Sequence, residues 1–163
     1  MASDSSFDVV SQFDRQELTN AVDQTLREVT TRYDLKGTGS QVTLEKDSIG
    51  LAADSEFTLK AVRELLLTKA ARRGLSPKIL DFGKVEPAAR GTVRQTVKLR
   101  QGIEQDLARQ IVKLIRDQFP KLRAQIQGDA VRVSGASKDH LQGAIKLLRE
   151  QDYPVPLQFI NYR

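Results

Sequence analysis

The sequence predicts an α+β protein made of two consecutive β-α-β-β-α-β halves, and three observations carry that prediction. Short segments with period-two alternation, such as 93–100 and 122–127, have the pattern of half-buried strands. Four longer segments repeat apolar residues every three or four positions, as helices with one buried face do. Both kinds of segment occur in the same order twice, separated by a stretch at 83–91 whose Pro and Gly read as a linker or long turn.

The first half opens with Phe7-Asp8-Val9-Val10-Ser11, a short strand. Asp14 then suits the cap of a helix running to about Tyr33, with Leu18, Val22, Leu26 and Val29 on one face and Glu17 three residues past the cap. Gly37-Thr38-Gly39-Ser40 breaks the chain. Segments 41–45 and 48–52 form a hairpin turning at Lys46-Asp47. Asp54 or Ser55 caps a second helix to about Arg73, where Gly74 stops it, and 79–82 is a last short strand.

The second half repeats this order. Val93 to Arg100 is a strand and Ile103 to Phe119 a helix, ended by Pro120 because the ring cannot continue the hydrogen-bond ladder. Gly128-Asp129 marks a tight hairpin. Ser137 caps a helix bearing Leu141, Ala144, Ile145 and Leu148, and 157–162 closes as a strand. Two β-α-β-β-α-β halves with antiparallel sheets are the ferredoxin-like pattern, in which two helices cover one sheet face and leave the other open.

Composition narrows the function. The 163 residues are 39% apolar and 29% charged, as expected of a soluble globular chain of one domain or two small ones. No apolar run approaches the roughly 20 residues of a membrane span, and Met1–Ser6 has neither the basic flank nor the apolar core of a signal peptide. Cysteine is absent, so disulfides and thiolate chemistry are excluded and cytoplasmic residence is the simplest reading. Charge is uneven. Residues 1–75 carry 10 basic against 12 acidic residues, and residues 76–163 carry 16 against 9. That asymmetry favours an anionic partner for the second half.

The sequence offers little for catalysis. His140 is the only histidine and falls on the first turn of a helix, where a solvated ring is expected. With no Cys and no second His there is no soft-metal site, and no cofactor is implied. A P-loop signature is missing, and Gly37-Thr38-Gly39 follows a helix, the wrong order for helix amides to face a phosphate. Glu104 and Asp106 sit at a helix start, where the macrodipole accounts for them.

Binding is better supported. In the strands at 93–100, 121–127 and 130–135, apolar residues alternate with Arg, Lys, Gln and Ser, which predicts one apolar face and one basic face. The candidate nucleotide-binding residues are Lys98, Arg100, Gln101, Arg123, Gln125 and Arg132. Arg and Lys would meet phosphate, while Gln would hydrogen-bond base edges. The alternative is that this face is covered, by packing of the two sheets or by a second copy, or that it holds an acidic protein partner. Aromatic residues are missing from these strands, which argues against base stacking of the ordinary RNA-reader kind.

Several blocks carry a resemblance: Ser6–Ser11, Asn20–Gln24, Arg32-Tyr33-Asp34, Lys98–Ile103, Ala124–Asp129, Val131–Gly135 and Gln158–Arg163. In these blocks, in order along the chain, the sequence resembles the YajQ family. The resemblance implies two ferredoxin-like domains similar to the RNP fold, with their amino-terminal strands exchanged, so that residues 1–12 join 101–163 and residues 13–100 form the other domain. It further implies a non-catalytic nucleotide-binding role, with purine nucleotides, cyclic di-GMP or tRNA as ligands and a signalling or regulatory protein as a further partner. Leu35, Gln118-Phe119-Pro120 and His140 depart from the family's commonest pattern, at loops and edges where they bear on ligand choice rather than on fold.

Overall fold

The first strand, β1 (Ser5–Val10), buries Phe7 and Val9 and turns Ser6 and Val10 the other way. Its partners are far off in sequence. β1 pairs antiparallel with β8 (Ala130–Gly135) on one side and β9 (Gln158–Ile160) on the other. The computed structural model describes residues 4–163, so the first three residues of the segment read for a signal peptide lie outside the described residues.

The chain divides into two compact units, one of residues 1–12 with 101–163 and one of residues 13–100. In the first, called unit one, the sheet order is β7-β8-β1-β9, where β7 is Arg123–Gln127. Helices α3 (Gln105–Gln118) and α4 (Lys138–Arg149) supply Ile111, Ile115, Leu141, Ile145 and Leu148 to a core with Phe7, Val9, Val131 and Val133. Ser137 Oγ accepts the His140 amide at 3.2 Å, the cap expected at that position. Gly102 has φ +85°, and a Cβ there would lie 2.6 Å from Asp129 Oδ2, so only glycine fits; its amide donates to Ser11 O at 2.6 Å.

Unit two holds α1 (Arg15–Thr31), β2 (Gln41–Leu44), β3 (Ser48–Ala53), α2 (Glu56–Arg72), β4 (Leu80–Phe82), β5 (Glu86–Pro87) and β6 (Val93–Leu99). The sheet order is β2-β3-β6-β4, with β5 also on β6. Asp14 Oδ1 accepts from the amides of Gln16 and Glu17 at 2.9 and 3.3 Å, and Ser55 Oγ from that of Thr58 at 3.2 Å. Leu18, Val22, Leu59, Val62 and Leu66 pack on Ile49, Leu51 and Val97. Lys69 crosses between the helices to Glu28 at 2.5 Å.

β1 sits between β8 and β9, and β6 between β3 and β4. Two expectations change here. The basic face drawn across 93–135 is not one face, because β6 belongs to one sheet and β7 and β8 to the other. The segment 83–91 is more than a linker, since β5 pairs with β6 at Glu86↔Arg94 and Pro87↔Val93.

Candidate functional site

On β6 the side chains alternate as the sequence predicts. Gln95, Val97 and Leu99 turn inward, while Arg94, Thr96 and Lys98 are exposed. Gln95 is a buried amide with both ends satisfied, its Nε2 donating to Gly83 O at 2.6 Å and its Oε1 accepting from Arg63 at 3.2 Å. Two of the nearby cations are offset by acids, Arg94 by Glu86 at 3.4 Å and Arg100 by Asp81 at 3.3 Å. Lys98 stands in register with Ser48 on one side and Asp81 on the other, and among the described residues it forms no ion pair. Its neighbours Ser48, Gly50 and Thr96 on the same face are small.

In unit one both candidate cations, like Arg94 and Arg100, meet acids. Arg123 pairs with Asp4. Arg132 Nε donates to Asp8 Oδ1 at 2.9 Å, and Asn161 Nδ2 donates to Asp8 Oδ2 at 2.8 Å. Asp8 is only 8% exposed, and the Arg132 hydrogen bond, helped by Asn161, holds its carboxyl below the ordinary carboxylate range against the opposing effect of burial. Gln125 is exposed opposite Arg132 in the β7–β8 register, and Gln101 is exposed just after β6. The six residues named from the sequence therefore fall in two places. Lys98 and Arg100 lie in unit two; Gln101, Arg123, Gln125 and Arg132 lie in unit one.

A groove of about 280 Å³ opens in unit one between the start of β1, the first two turns of α4 and the chain's last two residues. Phe7, Leu141 and Ile145 form its floor, Tyr162 one wall, and Lys138 and Gln142 its rim. Neither Lys138 nor Tyr162 was singled out from the sequence, where 157–162 reads as one unbroken strand. The strand in fact ends at Ile160, and Asn161 takes φ +56°. An Asn after an apolar run, next to an aromatic, was the available signal.

His140 is half-buried rather than solvated, its ring 6.1 Å from that of Phe119. Asp106 pairs with Arg109 at 3.1 Å, as a helix-start residue would. Among the described residues no three His, Asp or Glu side chains gather as a metal site, and no helix is long and apolar enough to cross a membrane.

Among the described residues, four α-helices and antiparallel sheets, with cations on an exposed sheet face, define an α+β protein. Residues 5–163 match the family described as nucleotide-binding protein YajQ-like, and the chain belongs to that family. It is 60% identical over 163 residues to a nucleotide-binding protein of Nostoc punctiforme, and 58% identical to proteins so described from a Synechococcus strain and from Chloroflexus aggregans, in each case over the whole of both chains.

Proposed function

We propose that this protein is a non-catalytic, cytoplasmic nucleotide-binding protein, acting as a signalling or regulatory effector. Its candidate ligands are a purine nucleotide, cyclic di-GMP or tRNA. Family membership across residues 5–163, with relatives named for nucleotide binding, is the observation that carries this reading. The strand orders support taking each unit as a ferredoxin-like module with its first strand exchanged. Among the sequence-named residues, Lys98 is the cation best placed to meet phosphate, since Arg100, Arg123 and Arg132 already face carboxylates. Thermal-shift measurements over mono-, tri- and cyclic nucleotides and tRNA test the reading. At a hundredfold excess over Kd, a ligand that binds only the native state adds about 2.7 kcal/mol to its stability. A flat response to every nucleotide and to tRNA would overturn it.

A second reading, an adaptor for a protein partner, draws on Tyr33 and Phe57, which are 100% and 87% exposed. Capture of a protein that survives nuclease treatment and is lost in a Tyr33→Ser/Phe57→Ser variant would favour it over the first.

A further inference from the structure

We infer that the groove beside α4 seats a single purine mononucleotide, with the base stacked on Tyr162 and the phosphate at Lys138. This rests on the nucleotide-binding reading above and adds the site, which lies apart from the residues named from the sequence.

The argument begins with the backbone. In a regular strand, residues three apart point to opposite faces. Phe159 and Tyr162 nevertheless both approach Phe7, with ring centroids 6.0 and 6.4 Å away. Asn161, at φ +56°, slips the alternation by one and swings Tyr162 to the helix side. The turn is pinned from both directions. Asn161 Nδ2 bonds Asp8 at 2.8 Å, and beyond it Ser6 and Arg163 exchange two backbone hydrogen bonds of 3.1 and 3.0 Å. Tyr162 is thus a fixed ring, backed by buried Phe7 yet 57% exposed. A preorganised aromatic with one open side is what base stacking needs, and it supplies the platform missing from the central strands.

The rim provides the polar contacts. Lys138 and Gln142 lie one helical turn apart on the α4 face that lines the groove, with Leu141 and Ile145 beneath. Among the described residues Lys138 forms no ion pair and the Gln142 side chain no hydrogen bond, so both heads are uncommitted. An ammonium is a point charge suited to phosphate, and an amide both donates to and accepts from a base edge. Size decides how much ligand fits. About 280 Å³ is at the lower limit of ligand-sized cavities, which run from about 300 to 1,000 Å³. That leaves room for one nucleotide and excludes a cyclic dinucleotide from lying wholly inside. A purine is favoured over a pyrimidine by its larger stacking area.

Calorimetric titration with GMP, AMP, UMP and cyclic di-GMP tests this on the full chain. Tyr162→Ala should weaken GMP and AMP roughly tenfold to a hundredfold, the usual cost of losing one base–aromatic stack, while Tyr162→Phe keeps most of the affinity. Lys138→Glu, an exposed change that leaves the core intact, should weaken them as well, and Lys113→Ser, at an exposed position of α3 away from the groove, should leave them within about threefold of the parent. Unchanged mononucleotide affinity in folded Lys138→Glu and Tyr162→Ala overturns the groove while nucleotide binding stands. Tight cyclic di-GMP with negligible GMP also overturns it. Absence of binding of all four to the parent protein overturns the groove, and a flat response that extends to triphosphates and tRNA overturns the nucleotide reading itself.

Discussion

In unit one, Arg132 of β8 lies against Asp8 of β1, and Arg123 of β7 against Asp4. In unit two, Lys98 of β6 faces Ser48 and Asp81 and pairs with neither. Both sheets are built from the same alternation, and both set cations on the face that the helices leave open. Unit one meets both of these cations with acids, Arg132 with one in cross-strand register; unit two does the same for Arg94 and Arg100 but leaves Lys98 without an ion pair among the described residues. A basic strand is therefore not a basic surface until the strand beside it is known, because a carboxylate in cross-strand register cancels the field that a phosphate would feel.

The largest expected effect breaks the comparison at its structural root. Phe7→Ala removes a fully buried ring from the central strand of unit one, at a cost of about 3–5 kcal/mol. Hydrogen exchange should show unit-one amides losing protection well before those of β3 and β6. Equal loss in both units would mean that the two cores unfold as one.

Next in size is the counterion itself. Asp8→Asn leaves Arg132 without its anion and should cost about 1–2 kcal/mol in denaturant unfolding. The folded carboxyl titrates below its unfolded value of about 3.9, so the stability it provides is present above that value and lost as pH falls through the folded one. The variant's stability profile should therefore be flatter than the parent's below about pH 4. With Arg132 released, retention on a polyanion column should rise. An unchanged acid limb would show that the pair does not act as described.

Smallest in stability, and sharpest for the comparison, is Lys98→Ser. On an exposed strand position it should shift unfolding by no more than about 0.5 kcal/mol. The salt dependence of polyanion binding should nevertheless fall by about one ion. Arg123→Ser, whose charge is already met by Asp4, should move that slope less.

These contrasts mark what the sequence could and could not reveal. Helix starts at Asp14 and Ser137 were legible, and that at Ser55 to within one residue, because a capping side chain acts on amides two or three residues away. The inward and outward faces of β6 and β8 were legible because alternation is a local property. Pairing was not, since period two fixes which face a residue takes and is silent on which strand lies alongside. Asp8 and Arg132 are separated by 124 residues, so the neutralisation that changes the candidate site needs the register of β1 on β8. Tyr162 was hidden for a different reason: one left-handed residue reverses its direction, and alternation read across Asn161 assigns it to the wrong side.

The passage of the chain from unit one to unit two after residue 12, and back after residue 100, has a consequence for synthesis. A chain emerging from its amino terminus can complete unit two once residue 100 is free. β1, made first, has no neighbour until β8 and β9 follow. An apolar strand carrying Phe7 and Val9 is thus the oldest part of a sheet that closes last. Until then both of its edges are without their native partners, and an unpaired apolar strand is open to pairing with other chains.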